Sequence, residues 1–186
     1  MDCDSPDQAC AELNALAEAK GWPLRCGNIG NFRRSELRAL CELWQSKAAA
    51  GVPARSAFDM RTLGCFARNI MILEREGADG AKRYRFRLFG STLALVFGEH
   101  TGGTLEEMVS PNLLESWLAF YDTVLPSRQP LRVDTYYQTA TADYVKGEIL
   151  AAPLADESGA LRMVLAATYV GLHDGVPPPF GKSLSR

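Results

Sequence analysis

The chain has 186 residues, of which 47% are hydrophobic and 23% are charged, and its formal net charge at pH 7 is -2. This composition is typical of a soluble globular protein with enough chain for one substantial core. The net charge lacks the basic excess that nonspecific nucleic-acid binding requires. The sequence also contains neither a polybasic segment that an anionic membrane would attract nor the run of about 18 apolar residues that a membrane span needs.

Residues 1–34 are predicted to form an N-terminal extension that is partly helical and partly flexible. Leu13, Leu16 and Ala17 are predicted to share one face of a helix within residues 8–20. The glycine- and asparagine-rich stretch 27–31 is typical of a linker. The chain begins with acidic residues where a secretory signal would be basic, and we therefore expect a cytoplasmic protein.

A better-defined helix follows, with Ser35 as its predicted N-cap. Leu37, Leu40 and Trp44 lie at spacings of three, four and seven residues, so they form one apolar stripe along this helix. Two interpretations stay open. The stripe covers the core of its own domain, or it pairs with a second copy and forms a dimer interface.

Two strands joined by a turn come next. The apolar run 70–73 has the length of a strand, and residues 83–88 show the clearest alternation in the chain. One face of this second strand carries Arg83, Arg85 and Arg87. The other face carries Tyr84, Phe86 and Leu88. We interpret the arginine face as the solvated outer face of the sheet, and the alternative is a site for a phosphate or an acidic partner.

The rest of the chain is first helical and then extended. A short helix is predicted over 92–97 and a long one over 112–125, followed by three strands within 131–138, 144–154 and 161–170. Since helices and strands are segregated, the sequence predicts an α+β fold with an antiparallel sheet and helices on one face. The tail, residues 174–186, is expected to be extended and flexible.

This order of elements resembles that of PAS domains, in particular a divergent bacterial group of them. The resemblance covers residues 35–173 and rests on Trp44 and on six short sequence words in the right order. These words are Gly51–Arg55, Phe58–Asp59, Tyr84–Leu88, Gly90–Ser91, Phe97–Gly102 and Pro153–Leu154. It implies a PAS-like five-stranded antiparallel sheet with the strand order 2-1-5-4-3, and a sensory or protein-interaction domain that is typically a homodimer.

The resemblance also implies a ligand cavity between the sheet and the long helix. The candidate lining residues for ligand binding are Phe86, Leu88, Phe97, His100, Trp117, Tyr121 and Tyr137. The alternative is that each of these rings and side chains simply fills the core. Glu148 leaves two interpretations open in the same way, because it either points into the cavity or pairs with an arginine such as Arg132.

Cysteine and histidine counts limit the cofactors. The five cysteines are an odd number without a CxxC pair, so we expect reduced thiols, no disulfide framework and no zinc knuckle. Two histidines, His100 and His173, are too few for a metal site built from several imidazoles. No cysteine lies between residues 90 and 130, which excludes the flavin–thiol photochemistry of light-sensing PAS domains, and the long helix has no histidine for haem. The cofactor, if the protein has one, stays unidentified.

Three functions follow from these observations. The first is a stand-alone sensory module in bacterial signal transduction, which binds a small-molecule ligand and acts in trans on an unidentified signalling partner. The second is a protein–protein interaction adaptor of the same fold that binds no ligand. The third is a small enzyme that uses His100 with Glu99 or Asp134, but no nucleophile or metal motif accompanies the histidine, so we expect no enzymatic activity.

Overall fold

Six strands pair in one sheet with the order β1-β4-β5-β6-β2-β3, and every neighbouring pair is antiparallel. The computed structural model describes residues 6–77, 83–137 and 145–172. The strands are β1 Leu24–Gly27, β2 Ile70–Glu76, β3 Arg83–Phe89, β4 Leu131–Tyr137, β5 Val145–Ala155 and β6 Leu161–Leu172. The predicted tail 174–186 lies outside the described residues.

The helices connect these strands in the predicted sequence of elements. They are α1 Pro6–Lys20, α2 Ser35–Lys47, α3 Met60–Leu63, α4 Ser91–Phe97, α5 Leu105–Met108 and α6 Pro111–Ser127. Short 3-10 turns occupy Ile29–Asn31, Arg55–Ala57 and Gly64–Asn69. Asp59 caps α3, because its carboxylate accepts the backbone N–H of Thr62 at 2.7 Å.

The predicted strand order is confirmed for the five strands from β2 onwards. Counted from β2, the order 2-1-5-4-3 corresponds to β3-β2-β6-β5-β4, which is the observed order. The count of five strands was too low, because β1 adds a sixth strand beside β4. Sequence periodicity could not predict β1, because its four residues, Leu24–Gly27, are too few to show alternation. They pair with residues 132–135 of β4, which lie more than a hundred residues further along the chain.

Helices cover both faces of the sheet, which corrects the expectation that they lie on one face only. The central strands carry apolar side chains on both sides: Ile149 contributes to the core beneath α6, and its neighbour Leu150 to the core beneath α2. A strand that is apolar on both faces needs cover on both. We call these two sides the α6 face and the α2 face.

The apolar stripe of α2 lies in the core of its own chain. Leu37 and Leu40 are 0% exposed and Trp44 is 1% exposed, and the indole Nε1 of Trp44 donates to the carbonyl of Pro153 at 2.9 Å. Of the two interpretations of this stripe, the structure shows the first. Side chains that are buried against the sheet leave no surface for a second copy, so Leu37, Leu40 and Trp44 do not form a dimer interface in this arrangement.

A β-bulge moves Leu88 away from the predicted face of β3. Ile72 pairs with Leu88 but Leu73 pairs with Phe86, so one residue of β3 is left without a counterpart in β2. After the bulge, Leu88 packs against the α2 face and Phe89 is buried on the α6 face. Strict alternation therefore predicted Tyr84 and Phe86 correctly and Leu88 wrongly.

The N-terminal segment joins the sheet through β1 and a disulfide bond. Cys10 in α1 and Cys26 in β1 are bonded, with their Cα atoms 5.2 Å apart. The expectation of reduced thiols is wrong for this pair, because pairing depends on how α1 folds back on β1 and not on a spacing motif. Gly27, interpreted as part of a linker, ends β1, and a Cβ atom there would lie 2.9 Å from Nη1 of Arg132.

Candidate functional site

A layer of aromatic rings fills the space between α6 and the sheet. Tyr84 of β3 lies 5.4 Å from Tyr121 of α6, measured between ring centroids, and Tyr121 stacks on Trp117 at 6.0 Å. Phe120 is 5.2 Å from Tyr121. Each of these four rings is at most 6% exposed. The helical spacing of the α6 residues places them all on the face that meets the sheet.

A second aromatic group continues this layer along β3. Phe86 lies two residues from Tyr84 on the same face and meets Phe89 edge to face at 5.1 Å. The His100 ring is 5.5 Å from Phe89 and 6.1 Å from Phe86. The Nε2 atom of His100 is 3.0 Å from the carbonyl oxygen of Phe97, which fixes the imidazole against the end of α4.

Most of the predicted ligand-binding residues thus lie on the α6 face. Five of the seven predicted positions share it, and they are Phe86, Phe97, His100, Trp117 and Tyr121. Leu88 does not share it, because of the bulge. Tyr137 is the last residue of β4, and its side chain lies outside the part of the chain that the structure describes.

Two buried hydroxyl groups on this face lack a strong hydrogen-bond partner among the described residues. The Oγ1 atom of Thr168 is buried and has no hydrogen-bond partner there, and Thr168 is 0% exposed. Its strand partner Ile149 belongs to the core beneath α6, so the hydroxyl lies on the α6 face. In the same part of the chain, the Tyr121 hydroxyl meets the sulfur of Met71, at 3.9 Å. Sulfur is a weak acceptor, and burial raises the pKa of Tyr121.

A third hydroxyl on this face is fully satisfied. Tyr84 donates to Oδ1 of Asp122 at 2.7 Å, and Nη1 of Arg75 lies 3.8 Å from the same oxygen. Burial and the Asp122 carboxylate both raise the pKa of Tyr84. This contact ties β3 to α6 at the edge of the aromatic layer, where the charged ends of Arg75 and Asp122 are partly exposed.

The α2 face carries a buried cluster of charges where the segment before α2 crosses the sheet. Nε of Arg132 donates to Glu148 at 2.7 Å, and the backbone N–H groups of Arg33 and Arg34 donate to the two oxygens of Glu148 at 3.0 Å each. Asp134 accepts from Arg132 at 2.9 Å and from the Arg33 guanidinium. Burial by itself would raise the pKa of Glu148, but these donors outweigh it and the pKa is lowered.

This cluster decides the question left open for Glu148, which pairs with Arg132 on the α2 face and does not enter the aromatic layer. It also explains how α2 begins. Ser35, the predicted N-cap, is the first helical residue, and the N-cap residue Arg34 has no side-chain cap. The Glu148 carboxylate brings negative charge to this end of the helix, which favours its dipole.

The sequence that forms this antiparallel sheet and its covering helices matches the profile of one family. A family profile described as PAS domain covers residues 32–168, well over half of the chain. The chain belongs to the PAS domain family. No curated protein matches it at a significant level. Among the described residues of this PAS domain, no helix has the length and apolar character to cross a membrane.

The arginine stripe of the PAS domain is paired with acidic side chains of the same chain. Arg85 contacts Glu76 at 2.8 Å, Arg87 contacts Glu74 at 2.6 Å, and Arg83 lies 3.5 Å from the carboxylate of an α5 residue, Glu106. The charges are therefore largely compensated within the fold. Such partly exposed pairs favour the interpretation of a solvated outer surface over that of a phosphate site.

Of the two acidic residues considered as partners of His100, Asp134 lies on the opposite face of the sheet. Asp134 belongs to the charge cluster on the α2 face, whereas the His100 ring packs against Phe86 and Phe89 on the α6 face. Glu99 accepts the backbone N–H of Thr101 at 2.8 Å. The described residues also contain no group of histidine, cysteine, aspartate or glutamate side chains that could hold a metal ion.

Thr168 is the site residue that sequence reasoning missed. It lies in a strand segment rich in alanine and valine, where a threonine is unremarkable, since Thr favours strands. Alternation along β6 could have revealed it. Val164 and Ala166 are buried and share a face with Thr168, so a polar side chain at position 168 enters the core.

Proposed function

We propose that this PAS domain is a sensory module that binds a small ligand between α6 and the sheet and passes the signal in trans to a partner protein. The Thr168 hydroxyl carries the proposal. A buried hydroxyl without a partner costs free energy, and native proteins retain few of them. A polar atom of a bound molecule would satisfy it.

The surroundings of Thr168 indicate what kind of molecule would fit. The aromatic layer offers apolar ring faces, and the small side chains Ala151 and Ala166 lie on the same face of the central strands. The hydroxyls of Thr168 and Tyr121 offer two points for hydrogen bonds. We therefore propose a small, mainly apolar ligand that carries one or two hydrogen-bonding atoms, which is the usual character of a ligand pocket.

In this proposal the protein is a cytoplasmic homodimer that signals without enzymatic activity. A homodimer of this domain would use a surface other than the α2 stripe, since that stripe is buried in its own core. Ligand binding would act by favouring one conformation or one association state over another.

The test is mass spectrometry of purified protein under native and denaturing conditions, for the wild type and for Thr168→Val. Valine has nearly the same shape but lacks the hydroxyl, and Thr135→Val is the matched control, because the Thr135 hydroxyl already donates to the carbonyl of Pro23 at 2.7 Å. We expect an additional mass only in the native wild-type spectrum and in the Thr135→Val spectrum, and much less of it in Thr168→Val. Equal occupancy in all three proteins would contradict a role for Thr168.

A ligand-free adaptor is the second candidate. It is favoured by the close packing within the aromatic layer. The rings of Phe120, Tyr121 and Trp117 contact one another at centroid distances of 5.2 to 6.0 Å, so they fill this part of the core without a ligand. A wild-type native mass equal to the sequence mass, together with an ordered water on Thr168 in a crystal structure, would favour the adaptor.

A further inference from the structure

The disulfide between α1 and β1 holds a short strand at one end of the sheet. We call Pro6–Gly27, which contains α1 and β1, the N-terminal unit. Cys10 lies in the second turn of α1 and Cys26 is the third residue of β1. Their Cα atoms are 5.2 Å apart, a separation that an ordinary disulfide spans.

The strand β1 has few other attachments. It pairs with β4 over four residues, from Leu24 opposite Thr135 to Gly27 opposite Arg132. On its other edge the described part of the chain places no strand, and the side chain of Asn14 in α1 bonds to the backbone there instead. The Asn14 side chain accepts the backbone N–H of Cys26 at 2.8 Å and donates to its carbonyl at 2.9 Å. Since Asn14 and Cys10 are four residues apart on α1, both attach to the same residue of β1 from one helix face.

The two cysteines differ in burial. Cys26 is 4% exposed, whereas Cys10 is only partly buried at the border of the core. We therefore expect a thiol in solution to attack at Cys10. Thiol–disulfide exchange requires such access to one sulfur, and the other sulfur then leaves as a thiolate.

The two remaining cysteines that the structure describes are separate from this pair. Cys41 is buried in α2 beneath the opposite face of the sheet, and Cys65 is exposed in the 3-10 turn after α3. Burial raises the pKa of the Cys41 thiol to about 11, so it is a poor nucleophile near neutral pH.

We propose that the Cys10–Cys26 bond is a redox-sensitive latch that controls how firmly the N-terminal unit covers the β4 edge of the sheet. Two equivalents of a low-molecular-weight thiol such as glutathione reduce it. The first thiolate attacks the Cys10 sulfur, the bond to Cys26 breaks, and Cys26 takes up a proton. The second thiol releases Cys10 as a free thiol, and the two small thiols leave as their own disulfide.

Reduction leaves the apolar contacts of the N-terminal unit in place but removes its covalent constraint. Leu13, Ala17 and Leu24 remain buried against the core, so the reduced unit is still folded most of the time. Because the cross-link joins two residues of the unit itself and closes a loop with a sequence separation of 16, its loss raises the equilibrium constant for local unfolding of the unit by about a hundred-fold. Each opening uncovers the backbone N–H and C=O groups of β4, which a second strand can then pair with.

Hydrogen exchange of the full chain tests the latch. The protein is purified without reductant, exposed to oxidised glutathione, and compared with the same sample after reduction by glutathione at millimolar concentration. We expect a linked Cys10–Cys26 peptide in the first sample only. We expect exchange at the amides of Leu24–Gly27 to be about a hundred-fold faster after reduction, with unchanged exchange in the central strand β6.

The same exchange measurement is made on the double variant Cys10→Ser/Cys26→Ser, which cannot form the bond. The matched control is Cys65→Ser, which removes an exposed thiol outside the pair. The double variant is expected to exchange like reduced wild type in both buffers, and Cys65→Ser like wild type. If the double variant does not fold, the comparison of oxidised with reduced wild-type protein tests the proposal by itself. The proposal is overturned if no linked peptide forms, if millimolar glutathione leaves the bond intact, or if exchange in β1 changes less than about three-fold on reduction. None of these outcomes depends on a ligand beneath α6.

Discussion

The two faces of the sheet differ in how completely their buried polar groups are paired. On the α2 face, every oxygen of Glu148 has a donor and both charges of the Arg132–Glu148 pair are compensated. On the α6 face, the Thr168 hydroxyl has no partner within the described residues, and there the Tyr121 hydroxyl has only a sulfur atom. A fully satisfied polar network fixes one arrangement of the chain, whereas an unsatisfied group is a point where a bound molecule gains free energy. Under the proposed function, the α2 face would hold the fold rigid and the α6 face would recognise the ligand.

The largest expected effect is the loss of a charge from the α2 face. Glu148→Gln leaves the buried Arg132 guanidinium, whose side chain is 7% exposed, with the more exposed Asp134 as its remaining acidic partner. We expect the free energy of unfolding to fall by about 3 kcal/mol, since Arg132 loses its buried counter-charge and the backbone N–H groups of Arg33 and Arg34 lose a charged acceptor. Urea denaturation measures this. Glu115→Gln, which breaks the exposed pair with Lys20, is the control and should cost less than about 0.5 kcal/mol.

The same carboxylate should make stability depend on pH. The folded state lowers the pKa of Glu148 below its usual value of 4.5, so the folded protein binds fewer protons there than the unfolded chain. Its contribution is therefore complete above pH 4.5 and is lost as the pH falls through the lower, folded pKa. Thermal unfolding between pH 3 and 7 should show a steeper acid decline for the wild type than for Glu148→Gln. Parallel curves would show that another group is responsible.

An intermediate effect is expected at the satisfied hydroxyl on the α6 face. Tyr84→Phe removes the hydrogen bond to Asp122 and keeps the ring contact with Tyr121. We expect a loss of about 1.5 kcal/mol in the free energy of unfolding, because the acceptor is a charged group that loses a donor. The control is Tyr169→Phe, a partly exposed tyrosine that packs at the α2 face. A loss for Tyr84→Phe no larger than that of the control would make the Tyr84–Asp122 contact energetically neutral.

The smallest effect on stability is expected at Thr168. It is also the effect that distinguishes the two faces most clearly. Thr168→Val removes a hydroxyl that has no partner, so the ligand-free protein should be unchanged or more stable by up to about 1 kcal/mol. The same substitution on a satisfied group is destabilising, as Thr135→Val should show by losing the hydrogen bond to Pro23. Calorimetric unfolding of both variants measures the difference. A destabilised Thr168→Val protein without ligand would mean that the hydroxyl has a partner in solution, and the comparison of the two faces would fail.

Sequence reasoning succeeded where periodicity carried the information. The stripe of α2 and the inward face of α6 follow from helical spacing, and Phe86, Trp117 and Tyr121 were placed in the right layer before the fold was known. It failed at Leu88, because a single unpaired residue in β3 reverses every later side chain. Alternation assumes a regular pleat, and nothing in the residues Arg83–Phe89 reveals that the pairing with β2 slips.

Local spacing and short motifs are enough to predict the order of the elements from α2 onwards, the α+β class and the family. They do not predict which cysteines bond, which strand pairs with the edge of β4, or which carboxylate contacts Arg132. Cys10 and Cys26, β1 and β4, and Arg33 and Glu148 are all brought together by folding of the whole chain. The physical reason is that local spacing fixes which face of an element a side chain occupies, whereas its partner depends on how distant elements pack.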